Sequence, residues 1–138
     1  MNAVTVDASV WVAAADASDP RCSVSRDFFA EVAHRESRLF VPSIALVEVG
    51  CALARRSGDT QGARRLAQAM LVPNVVTYVA VDGPLVAHAF ELGTEGFLRG
   101  ADALYMATAA QTQSTLVSWD GEHLARGAAV SPDAWLDA

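Results

Sequence analysis

Four short runs rich in β-branched residues alternate with longer segments of helical periodicity, and this alternation constrains the fold most strongly. The runs cover residues 3–6, 39–41, 75–81 and 115–118. Parallel strands must be joined by a crossover of a dozen or more residues, usually a helix, and each interval here is long enough for one. The order predicts an α/β fold, a single domain over residues 1–138, with a central parallel sheet flanked by helices on both faces. We expect four to five strands. The continuous run at 75–81 predicts a strand covered on both faces, and residues 129–130 predict a short edge strand.

Capping residues delimit the predicted helices. Asp19, Ser43, Asp59 and Asp82 each precede a helical segment, where a side-chain oxygen accepts a hydrogen bond from a free backbone N–H group. Gly58 follows the helix that Ser43 begins, a position typical of a left-handed C-terminal cap. The predicted helices span residues 8–15, 20–35, 44–56, 60–71, 83–93, 101–111 and 121–126.

The chain contains no lysine, so its fixed positive charge comes from ten arginines, against sixteen acidic residues, for a formal net charge of −6. A P-loop and a Schiff base both require lysine, so the protein classes that depend on them are excluded. A hydrophobic fraction of 52% excludes a disordered chain. No apolar run approaches the roughly 20 residues needed to cross a bilayer, and the first residues do not form a signal peptide. We therefore expect a cytoplasmic protein that does not bind membranes.

The cysteines and histidines show no metal-binding pattern. Cys22 and Cys51 lie far apart and outside any CxxC or Cys/His motif, so we expect two small core residues rather than a disulfide or a zinc site. His34, His88 and His123 are scattered along the chain and form no pair with metal-ligand spacing. We expect surface or helix positions for all three.

Three aspartates follow predicted strands or begin a helix. Asp7 comes directly after the first strand, Asp120 follows the strand at 115–118, and Asp102 lies in the first turn of a helix. Each position alone is also ordinary for a turn, a cap or a charge that complements the helix dipole. Because the carboxyl ends of parallel strands meet at one edge of a sheet, we expect the three carboxylates to converge there.

Glu48 lies in a segment, residues 39–54, that is apolar apart from this glutamate and Ser43. No arginine lies within one helical turn of it. Burial of an unpaired carboxylate costs several kcal/mol unless a cation compensates the charge. The sequence therefore favours a Glu48 that faces a metal ion, and the alternative is an exposed glutamate on a rotated helix face.

Four carboxylates in one crevice repel each other and raise one another's pKa values, and a divalent cation removes that conflict. Oxygen ligands suit Mg²⁺ or Mn²⁺, whereas zinc favours cysteine and histidine. Such a site favours hydrolysis of a phosphodiester bond. Four of the sixteen acidic residues would then belong to the site, so the negative net charge does not exclude a nucleic-acid substrate.

Four stretches of the sequence resemble PIN-domain ribonucleases and, among them, the VapC toxins of toxin–antitoxin pairs. They are residues 4–10, 42–49, 98–105 and 116–120, in the family's order and spacing. The resemblance implies Mg²⁺-dependent endonucleolytic cleavage of RNA, with Mn²⁺ able to substitute. It implies that Asp7, Glu48, Asp102 and Asp120 are the catalytic residues that bind the metal, with Ser9 as a supporting residue.

The same resemblance implies three partners. They are the RNA substrate, a second copy of the chain in a homodimer, and a VapB-type antitoxin whose C-terminal segment lies across the toxin and can block the site. The alanine-rich helix face at residues 11–15 is a candidate for part of the antitoxin groove, since an amphipathic helix requires an apolar cleft.

Residues next to Asp120 leave two questions open. Trp119 departs from the family pattern, where smaller or aliphatic residues are usual, and we expect it to alter access beside Asp120. Glu122 is either an auxiliary acid or part of a helix surface. His123 is either a helix residue of no special role or a residue near the substrate.

Arginine must supply any phosphate contact, because the chain lacks lysine. Arg99, just upstream of Asp102, is the predicted phosphate contact. A cluster of four further arginines near Gly58 is either a basic rim that binds RNA or a solvated helix surface; it consists of Arg55, Arg56, Arg64 and Arg65.

Two other functions are compatible with this resemblance. A PIN-fold protein without catalysis would act only by binding protein partners, although such a protein is expected to lack at least one of the four acids. A PIN-like nuclease could instead act on DNA or on ribosomal precursor RNA. Nothing in the sequence identifies a group that recognises a 2′-hydroxyl, so the choice of RNA depends on the resemblance.

Overall fold

A parallel sheet of four strands lies at the centre of the fold, in the order β3-β2-β1-β4. The computed structural model describes residues 2–126 and 129–138. The strands are β1 (Ala3–Val6), β2 (Arg38–Pro42), β3 (Thr77–Val79) and β4 (Thr115–Val117). The helices of the described residues are α1 (Ala8–Ala15), α2 (Cys22–His34), α3 (Ala45–Ser57), α4 (Thr60–Met70), α5 (Gly83–Gly96), α6 (Gly100–Thr112), α7 (Gly121–Ala125) and α8 (Pro132–Asp137). The predicted α/β fold is confirmed.

Side chains of β2 alternate between two buried clusters. Leu39 and Val41 belong to the larger cluster, together with side chains of α1 to α4. Phe40 belongs to the smaller cluster and packs with Leu85 of α5 and Ala103 of α6. Successive residues of a strand point to opposite faces, so this alternation shows that helices cover both faces of the sheet.

Several predicted helix ends are confirmed. Asp59 accepts a hydrogen bond from the N–H of Gly62 at 2.9 Å, and Asp82 accepts one from the N–H of Leu85 at 3.0 Å. Gly58 ends α3 with a φ of 68°, a left-handed conformation that glycine adopts without a steric cost.

Two predicted caps are wrong. The hydroxyl of Ser43 accepts a hydrogen bond from the N–H of Val81 at 3.2 Å, so it links the residues after β2 and β3 and does not cap α3. The carboxylate of Asp19 accepts a hydrogen bond from the N–H of Arg21 at 2.8 Å, in a turn that delays the start of α2 to Cys22. In both cases the polar side chain has an alternative backbone partner that the local sequence does not reveal.

Two strand predictions are also corrected. β3 is shorter than residues 75–81 and lies at the edge of the sheet, where it pairs only with β2, and Val75 is 60% exposed. Among the described residues, the edge strand predicted at residues 129–130 is reduced to a single bridge between Val117 and Val130, where the N–H of Ser118 donates to the carbonyl of Val130 at 3.0 Å. The sheet of the described residues has four strands, which agrees with the expected four to five. A continuous apolar run predicts a strand, but the packing of the whole chain decides how much of the run is paired and covered.

The two cysteines occupy different environments. Cys22 is buried, as predicted, whereas Cys51 is exposed on α3 and is not the core residue that we expected. Both are free thiols. None of the helices in residues 2–126 and 129–138 combines the length and apolarity of a membrane span.

The strand order places a crevice at the carboxyl ends of β1 and β4. From β1 the chain continues to β2 and β3 on one side, and it then crosses to β4 on the other side of β1. Such a reversal of strand order is the position where open α/β sheets bind their ligands. Asp7 follows β1 and Asp120 follows β4.

Candidate metal centre

Asp7 is a buried carboxylate held by two serine hydroxyls. Its Oδ2 accepts hydrogen bonds from Oγ of Ser9 at 2.6 Å and from Oγ of Ser118 at 3.0 Å. Ser9 in turn accepts a hydrogen bond from the N–H of Trp119 at 3.0 Å, and Ser118 accepts one from the N–H of Asp120 at 2.9 Å. The two serines therefore fix Asp7 against the segment that follows β4.

Arg99 lies among three carboxylates at the opening of the crevice. Its Nε lies 3.1 Å from Oδ2 of Asp102, and its Nη2 lies 2.5 Å from Oδ2 of Asp120. Glu122 is farther away, with its Oε2 at 3.9 Å from Nε. The hydrogen bond to Asp102 and the nearby negative charges raise the pKa of the guanidinium. The side chain is 67% exposed, so the predicted phosphate contact pairs with the acidic residues yet remains accessible to solvent.

Two groups of metal-ligating side chains share Asp102. In the first group, ligand atoms of Asp7, Asp102 and His123 all lie within 4.8 Å of one another. In the second group, ligand atoms of Asp102, Asp120 and Glu122 satisfy the same limit. Carboxylate oxygens and imidazole nitrogens are common ligands of divalent metal ions. These residues therefore fit a divalent cation at either position.

Glu48 is a partly dehydrated carboxylate near the first group. It lies in the first turn of α3, and its Oε1 is buried without a hydrogen-bond partner among the described residues. Burial raises the pKa of Glu48, and the charges of Asp7 and Asp102 raise it further. In the part of the chain that the structure describes, neither ligand group includes Glu48. The predicted dehydration is thus seen, while a direct role in holding the ion stays a proposal.

Tyr105 presents a second unpaired group beside these acids. The ring belongs to α6 and is 1% exposed, and its hydroxyl has no hydrogen-bond partner among the described residues. Burial raises the pKa of the phenol, and the charges of Glu48 and Asp7 raise it further. Tyr105 therefore stays a neutral hydroxyl next to the acidic cluster.

Ser118 was not identified from the sequence as part of the site, and the burial of His123 was not predicted. Ser118 is fully buried and contacts both Asp7 and Asp120, although it was interpreted only as the end of a strand. A serine at the end of a buried strand, two residues before a candidate metal ligand, was the available signal. His123 lies in a helix, one of the two predicted positions, but it is fully buried rather than on the surface. Glu122 is 51% exposed, as a surface residue would be, yet its carboxylate reaches the second group.

Trp119 connects the segment after β4 to α2. Its indole N–H donates a hydrogen bond to Oγ of Ser25 at 2.8 Å, and the guanidinium carbon of Arg21 lies 5.1 Å from the ring centroid. The side chain is only partly buried. The indole therefore contributes to the wall beside Asp120 through its packing on α2.

A cavity of about 450 Å³ adjoins the acidic cluster between α1 and α3. Ser9 and Glu48 line it on one side. Three arginines also line it, namely Arg21, Arg55 and Arg56. Asp19 also belongs to the lining, so the cavity carries charges of both signs.

Only part of the predicted basic rim is available for a polyanion. The guanidinium of Arg56 lies 2.9 Å from Oδ2 of Asp16 and 3.0 Å from Oδ2 of Asp19, so its charge is compensated within the protein. Arg64 and Arg65 are exposed on α4.

The fold and the acidic residues at the ends of β1 and β4 define an α/β domain with a candidate metal centre. The PIN domain family matches residues 4–130, and the chain belongs to this family. The family predicted from the sequence is therefore confirmed. A search of curated proteins finds no match.

Solved structures share this fold over most of their length. VapC20 of Mycobacterium tuberculosis, a toxin that cleaves the sarcin–ricin loop, is 25% identical with a TM-score of 0.76, and the match covers 90% of this chain and 95% of that chain. PAE2754 of Pyrobaculum aerophilum is 23% identical with a TM-score of 0.73, over 99% and 88% of the two chains. VapBC2 of Rickettsia felis, solved with a DNA fragment from its promoter, is 14% identical with a TM-score of 0.72, over 94% and 96%. The resemblance to VapC toxins is thus confirmed in the fold.

Proposed function

We propose that this protein is a metal-dependent endoribonuclease and the toxin of a toxin–antitoxin pair that acts in the cytoplasm. The observation that carries the proposal is the pair of ligand groups that share Asp102 at the carboxyl ends of β1 and β4. Membership of the PIN domain family supports nuclease activity, and the similarity to VapC20, which cleaves the sarcin–ricin loop, supports RNA as the substrate. The resemblance names Mg²⁺ as the cofactor, with Mn²⁺ as a substitute.

The acidic residues have distinct tasks in this proposal. Asp7, Asp102 and Asp120 hold the ion, and Glu48 supplies a further negative charge on the side of α3. A divalent ion bound there lowers the pKa of water and stabilises the charge that develops on the phosphate. Ser9 donates a hydrogen bond to Asp7 and thereby fixes the orientation of this carboxylate.

Arg99 binds the phosphate of the substrate. Its guanidinium compensates Asp102 and Asp120 in the structure and is two-thirds exposed. Where Asp102 and Asp120 hold a metal ion, the exposed guanidinium of Arg99 would be available to a substrate phosphate. A planar guanidinium then donates paired hydrogen bonds to phosphate oxygens.

Cleavage of RNA by single-residue variants tests the proposal. Asp7→Asn and Asp102→Asn keep the side-chain shape but remove a charge from the ligand set, so each is expected to reduce the cleavage rate at least about 100-fold. The matched control is Asp27→Asn, which changes an exposed aspartate of α2 and is expected to cleave at the normal rate. Removal of divalent ions with EDTA is expected to stop cleavage by the parent protein. Normal cleavage in EDTA, or by either of the two variants, refutes the proposal.

The same assay separates the alternatives. Single-stranded DNA of the same base sequence is compared with the RNA, and equal cleavage of both would favour a nuclease of broader substrate range. Absence of Mn²⁺ binding by calorimetry, together with absence of cleavage, would favour a PIN-fold protein that acts only by binding partners.

An apolar cavity supports the proposed antitoxin partner. It has a volume of about 540 Å³ and is lined by Trp11, Ala15, Phe29, Leu66 and Met70, among other residues. Trp11, Ala14 and Ala15, from the helix face predicted to contribute to the groove, belong to this lining. An apolar cleft of this kind accepts the nonpolar face of an amphipathic helix.

The antitoxin is expected to be encoded next to this protein. Coexpression of the two proteins tests whether the antitoxin binds in the apolar cavity. Leu66→Asp places a charge in its rim at a residue that is 44% exposed, so the fold should survive while binding of the antitoxin weakens. Val86→Asp, at an exposed position of α5, is the control for a new surface charge. Equal copurification of the antitoxin with both variants would remove the cavity from the proposed interface.

Exposed apolar side chains support the proposed homodimer. On α5, Phe90 is 71% exposed, and Phe97 directly after this helix is 78% exposed. On α3, Val47 is 65% exposed. Exposed apolar side chains mark a protein interface when they form a contiguous patch. Analytical ultracentrifugation of the parent protein and of Phe90→Ser tests the proposed homodimer. A parent protein that sediments as a dimer and a Phe90→Ser variant that sediments as a monomer would support an interface at α5. A monomeric parent protein would refute the homodimer.

A further inference from the structure

His123 is buried beside the candidate metal centre, where its Nε2 lies within ion-pair distance of Asp102 but makes no hydrogen bond among the described residues. It lies in α7, three residues after Asp120, and none of its surface is exposed. Its Nε2 lies 3.3 Å from Oδ1 of Asp102. Among the residues that the structure describes, neither Nδ1 nor Nε2 has a hydrogen-bond partner. A buried polar group without partners reduces stability, so a group of this kind in a folded protein usually has a ligand or an ion as its explanation.

One carboxylate oxygen of Asp7 and one of Asp102 remain available, and that of Asp102, Oδ1, is the oxygen nearest His123. Ser9 and Ser118 donate their hydrogen bonds to Oδ2 of Asp7, and Arg99 donates to Oδ2 of Asp102. In the described part of the chain, no hydrogen bond is made to Oδ1 of either aspartate. In each carboxylate, hydrogen bonds to Oδ2 therefore fix the orientation of the group, and Oδ1 is left available to bind an ion.

The separation of the ligand atoms fits coordination of one ion. Bonds of about 2.1 Å at octahedral or tetrahedral angles place neighbouring ligand atoms about 3.0–3.4 Å apart. The distance of 3.3 Å between Nε2 of His123 and Oδ1 of Asp102 lies in this range, and the nearest ligand atom of Asp7 is within 4.8 Å of both. Arg99 approaches Asp102 from its other oxygen and leaves this position open.

We propose that Nε2 of His123 is a metal ligand beside Asp7 and Asp102, so that this position selects Mn²⁺ or another first-row transition ion over Mg²⁺. The inference rests on the metal centre of the proposed function and refines the identity of its ion. Mg²⁺ is a hard cation that prefers oxygen ligands and retains its waters, whereas imidazole nitrogen binds transition ions more strongly. The carboxylates alone would not give this selectivity, because oxygen ligands suit both ions.

Pulsed electron paramagnetic resonance of the Mn²⁺-loaded parent protein tests the ligand directly. A coordinated imidazole modulates the Mn²⁺ signal through its ¹⁴N nucleus, and labelling with [¹⁵N]histidine replaces this modulation with that of ¹⁵N. The chain has three histidines, and we assign the coupling to His123 if it disappears in His123→Phe and persists in His34→Gln. His34 is an exposed histidine of α2 and is the matched control.

Metal affinities provide the second readout. His123→Phe retains a flat ring in the buried site, and it is expected to weaken Mn²⁺ binding by about 10–100-fold while Mg²⁺ binding changes less than about 3-fold. Thermal unfolding of the metal-free variants checks that they are folded. The nitrogen coupling of the [¹⁵N]histidine-labelled parent protein is measured without any substitution, so it tests histidine coordination even if His123→Phe does not fold. Mn²⁺ bound with no nitrogen coupling, or an unchanged ratio of Mn²⁺ to Mg²⁺ affinity in His123→Phe, overturns the role of His123. In that outcome the metal centre itself stands, whereas a parent protein that binds no Mn²⁺ overturns both.

Discussion

Replacement of Ser118 by alanine is expected to destabilise the metal-free protein more than any ordinary surface substitution. The hydroxyl is fully buried, donates to Oδ2 of Asp7 at 3.0 Å, and accepts from the N–H of Asp120 at 2.9 Å. A hydrogen bond to a charged group contributes about 1.5–3 kcal/mol, and one to a backbone N–H contributes about 1 kcal/mol. The variant Ser118→Ala should therefore lose about 2–4 kcal/mol of unfolding free energy.

Chemical and thermal unfolding in EDTA measure this loss without a contribution from metal binding. For a chain of 138 residues, 1 kcal/mol corresponds to about 3–4 °C, so the melting temperature should fall by about 7–14 °C. The matched control is Ser57→Ala. Ser57 also accepts from a backbone N–H two residues later, at 3.1 Å, and donates to a carbonyl at 2.9 Å, but it is exposed and contacts no charge.

The control is expected to lose less than about 1 kcal/mol, because water replaces the lost partner at an exposed position. If Ser118→Ala and Ser57→Ala lose the same small amount, the hydrogen bonds of Ser118 do not hold Asp7 and the account of the buried network is wrong.

Three further outcomes follow from the structure. A Cβ on Gly93 would lie 2.7 Å from Cβ of Ala103, so Gly93→Ala should lower the unfolding free energy measured with denaturant by about 1–3 kcal/mol. The control Gly50→Ala, whose Cβ would lie 3.8 Å from Cβ of Ala67, should be neutral or stabilising. Equal unfolding free energies for the two variants would contradict tight packing of α5 on α6. Hydrogen bonds from Ser18 and from the side chain of Arg56 lower the pKa of Asp16. Hydrogen bonds from the backbone N–H of Arg21 and from the side chain of Arg56 lower the pKa of Asp19. A carboxyl group with a lowered pKa stabilises the fold at a pH above its pKa in the unfolded chain, about 3.9. The parent protein should therefore be more stable than Arg56→Gln near neutral pH, and this difference in unfolding free energy should disappear as the pH falls below about 4. A difference that persists below about pH 4 would show that these carboxylates are not the source of the stabilisation. Arg99→Gln should raise the KM for RNA about 10–100-fold with a smaller change in kcat, measured against the exposed Arg65→Gln, and an unchanged KM excludes a phosphate contact.

Much of the fold was predictable because its signals are local. The period of apolar residues identified β1, β2 and β4, and the caps at Asp59 and Asp82 depend only on the residues that follow them within one turn. The position of Asp7 directly after β1 and that of Asp102 in the first turn of α6 were also evident from the sequence. A parallel arrangement then followed from the order of the elements, since helices separate the strands.

Prediction failed where a polar group or a strand had a choice of partners distant in the sequence. Ser43 had an accessible N–H at the start of a helix, yet it binds the N–H of Val81, which the pairing of β2 with β3 brings close. The run at residues 75–81 had the composition of a strand covered on both faces, but β3 comprises only Thr77–Val79 and Val75 is exposed. Local propensity does not contain this information, because the burial of a strand depends on which distant parts of the chain pack against it.

The sequence by itself determined the fold class, the family and the four acidic residues that the family resemblance marks. Only the tertiary structure decided how these acids are held and compensated. Ser118 reaches Asp7 across 111 positions because β4 pairs with β1 in one register, and a shift of one residue would turn that hydroxyl to the opposite face. The tertiary structure also buries His123 against Asp102 and brings Arg99 onto Asp120. Contacts of this kind depend on the packing of the whole chain, and the proposed choice of metal ion is argued from them.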